Sequence, residues 1–433
     1  MARGPQSVEI HSYQVGFGDC FLLTFVYSKS DRRHVLIDFG TMALPRYAGT
    51  ASVHMPKVAR HIAGVCGPRG LTAMVATHRH ADHISGFGTD GRTGKSGEII
   101  RALKPKVVLQ PWTEDPDAPK NAKRATRGSS RTKKGFLASL NAMHDIAEMV
   151  AKVGATGAAW LGPTLARQLA FLGMDNIRNR SAVENLIAMG QAKGATAVWA
   201  RFGSKSGLER RLPGVKVHVL GPPDLTQTEK IKKMRRRDPD QFWHLLGGAQ
   251  GLRVWRRRNG GRPLGPIPAE GRWFRDRLER MSGQQLLEIV RSLDDQMNNT
   301  SLILLFEVGK KKLLFPGDAQ IENWSYALQD APNSKAVRKL LADVALYKVG
   351  HHGSLNATPK TLLWESFVNR NKPVAQRMKT VLSTMPGKHG STNSRTEVPR
   401  RTLLDALEQE TVLTSTHRLR ASAPEPLFQT IVV

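Results

Sequence analysis

Thr77-His78-Arg79-His80-Ala81-Asp82-His83-Ile84 is the stretch on which the reading of this chain turns. Just ahead of it, Leu71-Thr72-Ala73-Met74-Val75-Ala76 is an apolar run of strand length, and Ser85-Gly86 follows as a turn. A strand followed at once by three histidines and an aspartate predicts a metal-binding loop at the strand's carboxyl end, where open α/β sheets place their chemistry. His78 and His80 can aim their rings at one ion if the backbone between them stays extended. Asp82 and His83, adjacent on the turn, can then serve a second ion. Imidazole and carboxylate are ligand types that Zn²⁺, Mn²⁺ or Fe²⁺ accept.

The length of 433 residues allows roughly two or three domains, or one large domain with insertions. With 40% hydrophobic residues the chain can bury a sizeable core. Lys and Arg number 65 against 36 Asp and Glu, a net charge of +29. Such a charge speaks to partners rather than to fold: nucleic acid first, an anionic membrane second, with a merely solvated basic surface as the bland alternative. Cys20 and Cys66 are too few for a disulfide framework and fit a reducing compartment. The stretch from Met1 to Gln6 lacks the apolar core of a secretory signal. No run approaches the roughly 18 apolar residues of a membrane span. The expectation is a soluble, cytoplasmic protein.

Outward from the central loop, Val8 to Val15 and Phe21 to Val26 read as strands around the turn Gly16-Phe17-Gly18-Asp19. A third strand, His34 to Ile37, runs into Asp38-Phe39-Gly40. Asp19 and Asp38, each beside a glycine, read in isolation as turn formers. Met55 to Ala63 has the spacing of a helix, and Lys106 to Trp112 that of a strand. Thr113 to Lys134 is a basic, proline-bearing loop, and Phe136 to Val153 an amphipathic helix with Met143 and Met149 on its apolar face. Ser181 with Glu184 predicts a capping box opening a helix to about Ala192. Thr196 to Arg201 and Val215 to Leu220 are strands. Between 224 and 295 arginines interleave with Trp243, Trp255, Trp273 and Phe274. Two readings fit that stretch: a single-strand platform that neutralises phosphates and stacks bases, or a basic helical insertion with its tryptophans inward.

Regular patterning resumes with a hairpin, Ser301 to Val308 and Lys312 to Phe315, that delivers Asp318 just past its second strand. Ser334 to Ala342 is a helix, and Val344 to Val349 a strand ending in Gly350-His351-His352-Gly353-Ser354. Glycines on both sides give those imidazoles access to an ion at low backbone crowding. Lys379 to Thr384 is a strand before Gly387-Lys388-His389-Gly390, Pro399 to Glu408 a closing helix, and Leu427 to Val433 an edge strand.

His78-x-His80-x-Asp82-His83 resembles the signature of the metallo-β-lactamase fold superfamily. The later phrases Asn298-Asn299-x-Ser301-Leu302, Gly317-Asp318-Ala319 and Lys348-Val349-Gly350-His351-His352-Gly353-Ser354 resemble one branch of it. That branch comprises the hydrolase domain of the competence protein ComEC and its stand-alone relatives. It also opens with Gly-x-Gly-Asp and Leu-Ile-Asp-x-Gly, matched here around Asp19 and Asp38. The resemblance covers roughly 7–112, 196–223 and 296–410. It implies an αββα four-layer sandwich of two mixed β-sheets flanked by helices. The chain would be a single hydrolase domain over 1–433, interrupted by a basic insertion at 113–195 and an Arg/Trp-rich one at 224–295. The branch has Gly-His-Pro after its late strand, whereas Gly390 follows His389 here.

What the resemblance implies for the site is two divalent ions, Zn²⁺ or Mn²⁺, held by His78, His80, Asp82, His83, Asp318, His351 or His352, and His389. Asp318 would bridge the ions. Many superfamily members have a further histidine ligand between the first motif and that aspartate; His144, His218 and His244 occupy the interval without a convincing motif. Two cations about 3.5–4 Å apart can share a water, lower its pKa and clamp attacking and leaving oxygens. Asp82, Asp318 and His352 are the candidate catalytic residues, and Lys388, Ser354, Arg256 and Trp255 the candidate substrate contacts.

Three functions fit. The expectation is a metal-dependent phosphodiesterase or nuclease on DNA or RNA, resting on the ligand set, the basic insertions and the resemblance. The alternative is a hydrolase of a small phosphodiester, nucleotide or lactone, with the basic surface serving a protein partner. A non-catalytic binding module is disfavoured, since a binder could lose metal residues freely.

Overall fold

The computed structural model describes residues 4–89, 95–117, 180–224, 226–228, 298–354, 357–388, 397–419 and 427–433. Among these, the glycine-bearing turns near the start fold as an antiparallel meander of β1 (Ser7–Tyr13), β2 (Cys20–Val26) and β3 (Arg32–Phe39). Helix α1 (Ala51–Cys66) then crosses the sheet, so β4 (Ala73–Val75) and β5 (Val107–Pro111) join in parallel. Both strands are buried along their whole length, as parallel strands covered on two faces must be. Between them lie the short α2 (Ala81–Ile84) and α3 (Ser96–Ala102). Helix α4 (Arg180–Gly190) leads to β6 (Thr196–Ala200), parallel to β5.

The second half repeats the plan. Strands β7 (Val215–Gly221), β8 (Ile303–Val308) and β9 (Lys311–Phe315) form an antiparallel meander. Helices α5 (Ile321–Ser325) and α6 (Ser334–Ala342) cross over to β10 (Leu346–Lys348), which pairs in parallel with β9. The parallel run continues through β11 (Lys379–Leu382) and, after α7 (Arg401–Glu410), β12 (Val412–Ser415). The last strand, β13 (Phe428–Val432), returns to the first sheet as its edge, antiparallel to β1. The result is two mixed sheets, one of seven strands ordered β13-β1-β2-β3-β4-β5-β6 and one of six ordered β12-β11-β10-β9-β8-β7.

The inner faces of both sheets meet in one apolar layer, with Phe21, Phe25 and Val35 from the first sheet against Leu304, Phe306 and Phe315 from the second. The outer face of the first sheet is covered by Val58 and Ile62 of α1 and by Val183 and Leu186 of α4. The outer face of the second is covered by Trp324 of α5, Val337 and Leu341 of α6, and Leu403 of α7. Helix, sheet, sheet and helix thus stack as four layers, which is the α/β architecture expected. No helix among the described residues is long and apolar enough to cross a membrane. Cys20 and Cys66 are free and buried.

One local expectation needs correction. Ser181 does not cap α4: Arg180 is already helical, and Glu184 pairs with its guanidinium at 3.0 Å instead of reaching back to a cap amide. Helix α4 also lies inside the range 113–195 yet packs into the outer core, because its apolar stripe fits the first sheet. The helix expected over Phe136 to Val153, most of the basic loop before it, and nearly all of 224–295 lie outside the described residues.

The β1–β2 turn, the end of β3 and helix α2 press together where two glycines permit it. A Cβ on Gly40 would lie 2.4 Å from the Asp82 carbonyl carbon and 2.5 Å from the His83 nitrogen. A Cβ on Gly18 would lie 2.3 Å from the Gly40 oxygen. The contact is fastened by Asp19 N–H donating to the Asp82 carbonyl at 2.8 Å and Gly40 N–H donating to the Asp19 carbonyl at 3.0 Å. Gly40→Ala must push the two segments apart and should destabilise the protein by about 3 kcal/mol, as overpacking a tight interior does. Urea unfolding measures this, and an unchanged midpoint would show that the approach is looser than described.

Candidate metal centre

In both sheets the functional side chains leave the carboxyl ends of adjacent strands. His78 lies three residues past Val75, the end of β4, and His351 three residues past Lys348, the end of β10. The turn after β9 meets the first of these loops where Gly317 approaches Thr77, a Cβ there falling 2.8 Å from the threonine Cβ. Asp82, His83, Asp318 and His352 bring one ligand atom each within 4.8 Å of one another, and so do His78, His80 and Asp82. All six residues are buried. Asp82 belongs to both groups, so the two clusters share a carboxylate.

The imidazoles are oriented from behind. His83 Nδ1 donates to Asp38 Oδ2 at 2.8 Å, which leaves Nε2 facing Asp318 Oδ2 at 3.0 Å. His352 Nδ1 donates to the Ser383 carbonyl at 3.0 Å, leaving Nε2 facing Asp82 Oδ2 at 2.8 Å. His78 Nε2 and His80 Nδ1 converge at 3.0 Å. Partners of this kind fix the tautomer and ring plane of metal-binding histidines. Asp38 is held in turn by the Thr77 N–H and hydroxyl, each donating at 2.7 Å. Arg79, between two candidate ligands, turns away to pair with buried Glu114 at 2.9 Å.

Backbone strain concentrates here as well. Asp38, His351 and His352 adopt φ of 54°, 44° and 51°, a left-handed conformation uncommon for residues other than glycine. Such strain persists only where the surroundings enforce it, and it gathers at functional sites.

Charge is arranged for cation binding. Burial pushes the His78 imidazole well below its usual pKa, and His83 and His80 push it further. His80 falls to about 4 for the same first reason, so both rings are neutral at pH 7. Burial opposes a charge on His83, but Asp318, Asp82 and Asp38 together raise it well above the ordinary histidine value. His352 is likewise raised against burial, by Asp19 and the Asp82 contact. Burial also opposes ionisation of Asp82 and Asp318, yet His83 draws both below the usual carboxylate range, helped by His352 at Asp82 and by Lys348 and His351 at Asp318. Asp82 Oδ1 and Asp318 Oδ2 accept no well-aligned hydrogen bond and face the His83 Nε2 at 3.8 and 3.0 Å. The ionised Asp82 beside the neutral His78 and His80 rings is what a divalent cation requires, whereas at His83 and His352 a cation would take the place of the protons those rings hold.

The other sequence candidates divide. Of the histidine pair, His352 joins the cluster, while His351 gives its N–H to Asp318 Oδ1 at 3.1 Å and holds its ring 3.9 Å from Oδ2, partly exposed. Ser354 is half-buried on the same loop, its N–H bonded to the His351 carbonyl at 2.9 Å. Lys388 is exposed beyond β11. His218, on the edge strand β7, faces Glu307 at 3.4 Å and is not among the converging groups. His389, Arg256, Trp255, His144 and His244 lie outside the described residues.

Asp19 and Asp38 are not turn formers but fully buried parts of the centre, forming with His83 a third group within 4.8 Å. The Gly-x-Gly-Asp and Leu-Ile-Asp-x-Gly phrases carried that signal. Lys348 is a further participant that the sequence reading passed over, although a lysine inside a short apolar strand asks for a partner. Burial opposes its charge, but Asp19 and Asp318 raise its pKa above the ordinary lysine value.

Against known proteins, the sequence matches no family model and no curated sequence. The geometry of buried histidines and aspartates able to hold a metal ion therefore carries the functional reading by itself.

Asp38→Ala should weaken divalent-metal affinity by roughly 10–100-fold, the usual weight of such an outer partner. Chelator competition reads this, and unaltered affinity would remove Asp38 from the centre. Metal binding through His83 and His352 must also displace the protons that their raised pKa values retain, so affinity should strengthen as pH rises through neutrality and fall below it. Calorimetry at pH 7 in two buffers of different ionisation enthalpy should give different heats; equal heats would show that no proton leaves.

Proposed function

We propose that this chain is a metal-dependent hydrolase of the metallo-β-lactamase kind that cleaves phosphodiester bonds in nucleic acid. The observation that carries the reading is the convergence of His78, His80, Asp82 and His83 with Asp318 and His352, from segments more than two hundred residues apart, on one buried cluster. These residues would hold two divalent cations, Zn²⁺ or Mn²⁺. Cations so held lower the pKa of water and neutralise charge on a phosphodiester.

The chain's own contribution is orientation and proton control. Asp38 and the Ser383 carbonyl fix the rings of His83 and His352. Asp82 and Asp318 stay ionised, ready to accept a proton from an attacking water. His352 has both nitrogens engaged and is fully buried, so its part is structural support of the cluster rather than contact with substrate. His351 has solvent access beside Asp318, which suits it to protonate a leaving oxygen.

The nucleic-acid half of the proposal is supported by charge and by topology. The chain carries +29, with runs such as Lys230 to Arg237 and Arg256-Arg257-Arg258 inside 224–295. Strand β5 is parallel to β4, and β7 is parallel to β9 and β10, so the residues after β5 and after β7 lie at the same rim as the histidine loops. Trp112 Nε1 donates to the Pro223 carbonyl at 3.2 Å, joining those two departure points. The return at 298–302 is also at this rim, since the Leu302 N–H donates to the Thr77 carbonyl at 3.0 Å. Both basic segments therefore start beside the cluster, where a polyanion would be gathered.

Purified protein with Mn²⁺ or Zn²⁺ should cut a labelled oligonucleotide, and Asp318→Ala should reduce cutting by more than about 100-fold, beyond the effect of an outer partner, with binding retained. Equal cutting by both proteins would dismiss the metal mechanism. Binding should weaken steeply with salt. A flat salt response, with turnover of a small phosphodiester alone, would favour the small-substrate alternative.

A further inference from the structure

Strand β10 is three residues long and central in its sheet. Leu346 faces the layer between the sheets, Tyr347 the helical side, and Lys348 by alternation turns inward again beneath the cluster. It is only 2% exposed. Its ammonium pairs with Asp19 Oδ2, donates to the Gly317 carbonyl at 3.2 Å and lies 3.5 Å from Asp318 Oδ1. An ammonium has three N–H donors, and here it meets three acceptors. Asp19 sits at the other end of this contact with its oxygens 3.7 Å from both His83 Nδ1 and His352 Nδ1.

We propose that the Lys348 ammonium is the resident cation of the third buried group, Asp19, Asp38 and His83, and that it holds Asp19 and Asp318 in position before any divalent ion arrives. The ammonium binds the same Asp19 oxygen that faces His83, so among the described residues this third group already has a cation from within the chain. Four carboxylates (Asp19, Asp38, Asp82 and Asp318) are buried together here, and carboxylates without a counter-charge would not stay ionised or remain in place. Lysine suits the task because its compact point charge meets acceptors on two segments, Asp19 and Gly317-Asp318, whereas a guanidinium presents its donors in a fixed planar fork. Lys348 is thus a positioning residue, acting through Asp318. The inference takes the same cluster as the reading above but concerns the metal-free protein, so it does not depend on the reaction.

The test uses the full chain stripped of metal by chelator. Lys348→Met should lower the metal-free melting midpoint by roughly 5 °C or more, because removing one member of a buried ion pair strands the other. Adding Asp19→Asn to Lys348→Met should recover most of that loss by removing the stranded charge. Chelator competition should show at least about a tenfold loss of Zn²⁺ affinity in Lys348→Met, and Lys348→Arg should not restore it. An unchanged metal-free midpoint, or a loss that Asp19→Asn leaves unrelieved, overturns the proposal. If Lys348→Met does not fold, Asp19→Asn alone decides, since it should lower the midpoint and an unaltered one refutes the pairing. A wild-type chain that binds no divalent ion would sink the functional reading while leaving the metal-free result to stand or fall separately.

Discussion

Buried negative charge is the constraint from which the architecture of the centre follows. Asp19, Asp38, Asp82 and Asp318 are each 4% exposed or less and arise from four separate segments. Ionised carboxylates out of water are costly unless they are paired. Among the described residues the positive groups beside them are accordingly used: His83 faces all four, His352 three, and Lys348 two. Part of this charge is protonic and can be exchanged for metal, and part is fixed in Lys348. A centre built this way has its acids paired in the metal-free protein.

That economy of charge depends on backbone approach. Gly18, Gly40 and Gly317 bring three turns closer than any side chain would allow, and the left-handed residues Asp38, His351 and His352 turn carboxylate and imidazole inward at strand ends. The hydrogen bonds from Thr77 to Asp38 and from Asp38 to His83 then convert backbone position into ring orientation. Fold and chemistry are joined at this step.

The sequence made the central loop legible because its ligand types fall within six positions, 78–83, directly after an apolar run. Asp318 and the His351-His352 pair were legible for a related reason: each follows a strand and is flanked by glycine. The strands themselves were readable as apolar runs, although β10 covers only Leu346–Lys348 of the expected Val344 to Val349. Asp19, Asp38 and Lys348 were not legible as a unit. A single aspartate beside glycine has the chemistry of any turn, and the partner that gives Asp19 its meaning lies over three hundred residues away. Ser181 misled because the capping pattern is satisfied equally by a helix that has already begun, with Glu184 occupied by Arg180.

The two halves of the sandwich repeat one topology, a three-stranded antiparallel meander followed by parallel strands, and this places equivalent positions opposite one another. The end of β3 yields Asp38 and the end of β9 yields Asp318; the loops after β4 and β10 yield the histidines. Equivalence of position has not produced equivalence of role. Asp38 has both oxygens occupied by Thr77 and His83, so it can only orient, and burial raises its pKa. Asp318 keeps Oδ2 without an aligned donor and is drawn well below the usual carboxylate range, so it can ligate. The difference traces to their neighbours: a threonine with two donors ahead of His78, against a glycine ahead of His351 that donates nothing to Asp318. Ligand and supporting residue are thus separated by one side chain in otherwise matching frames.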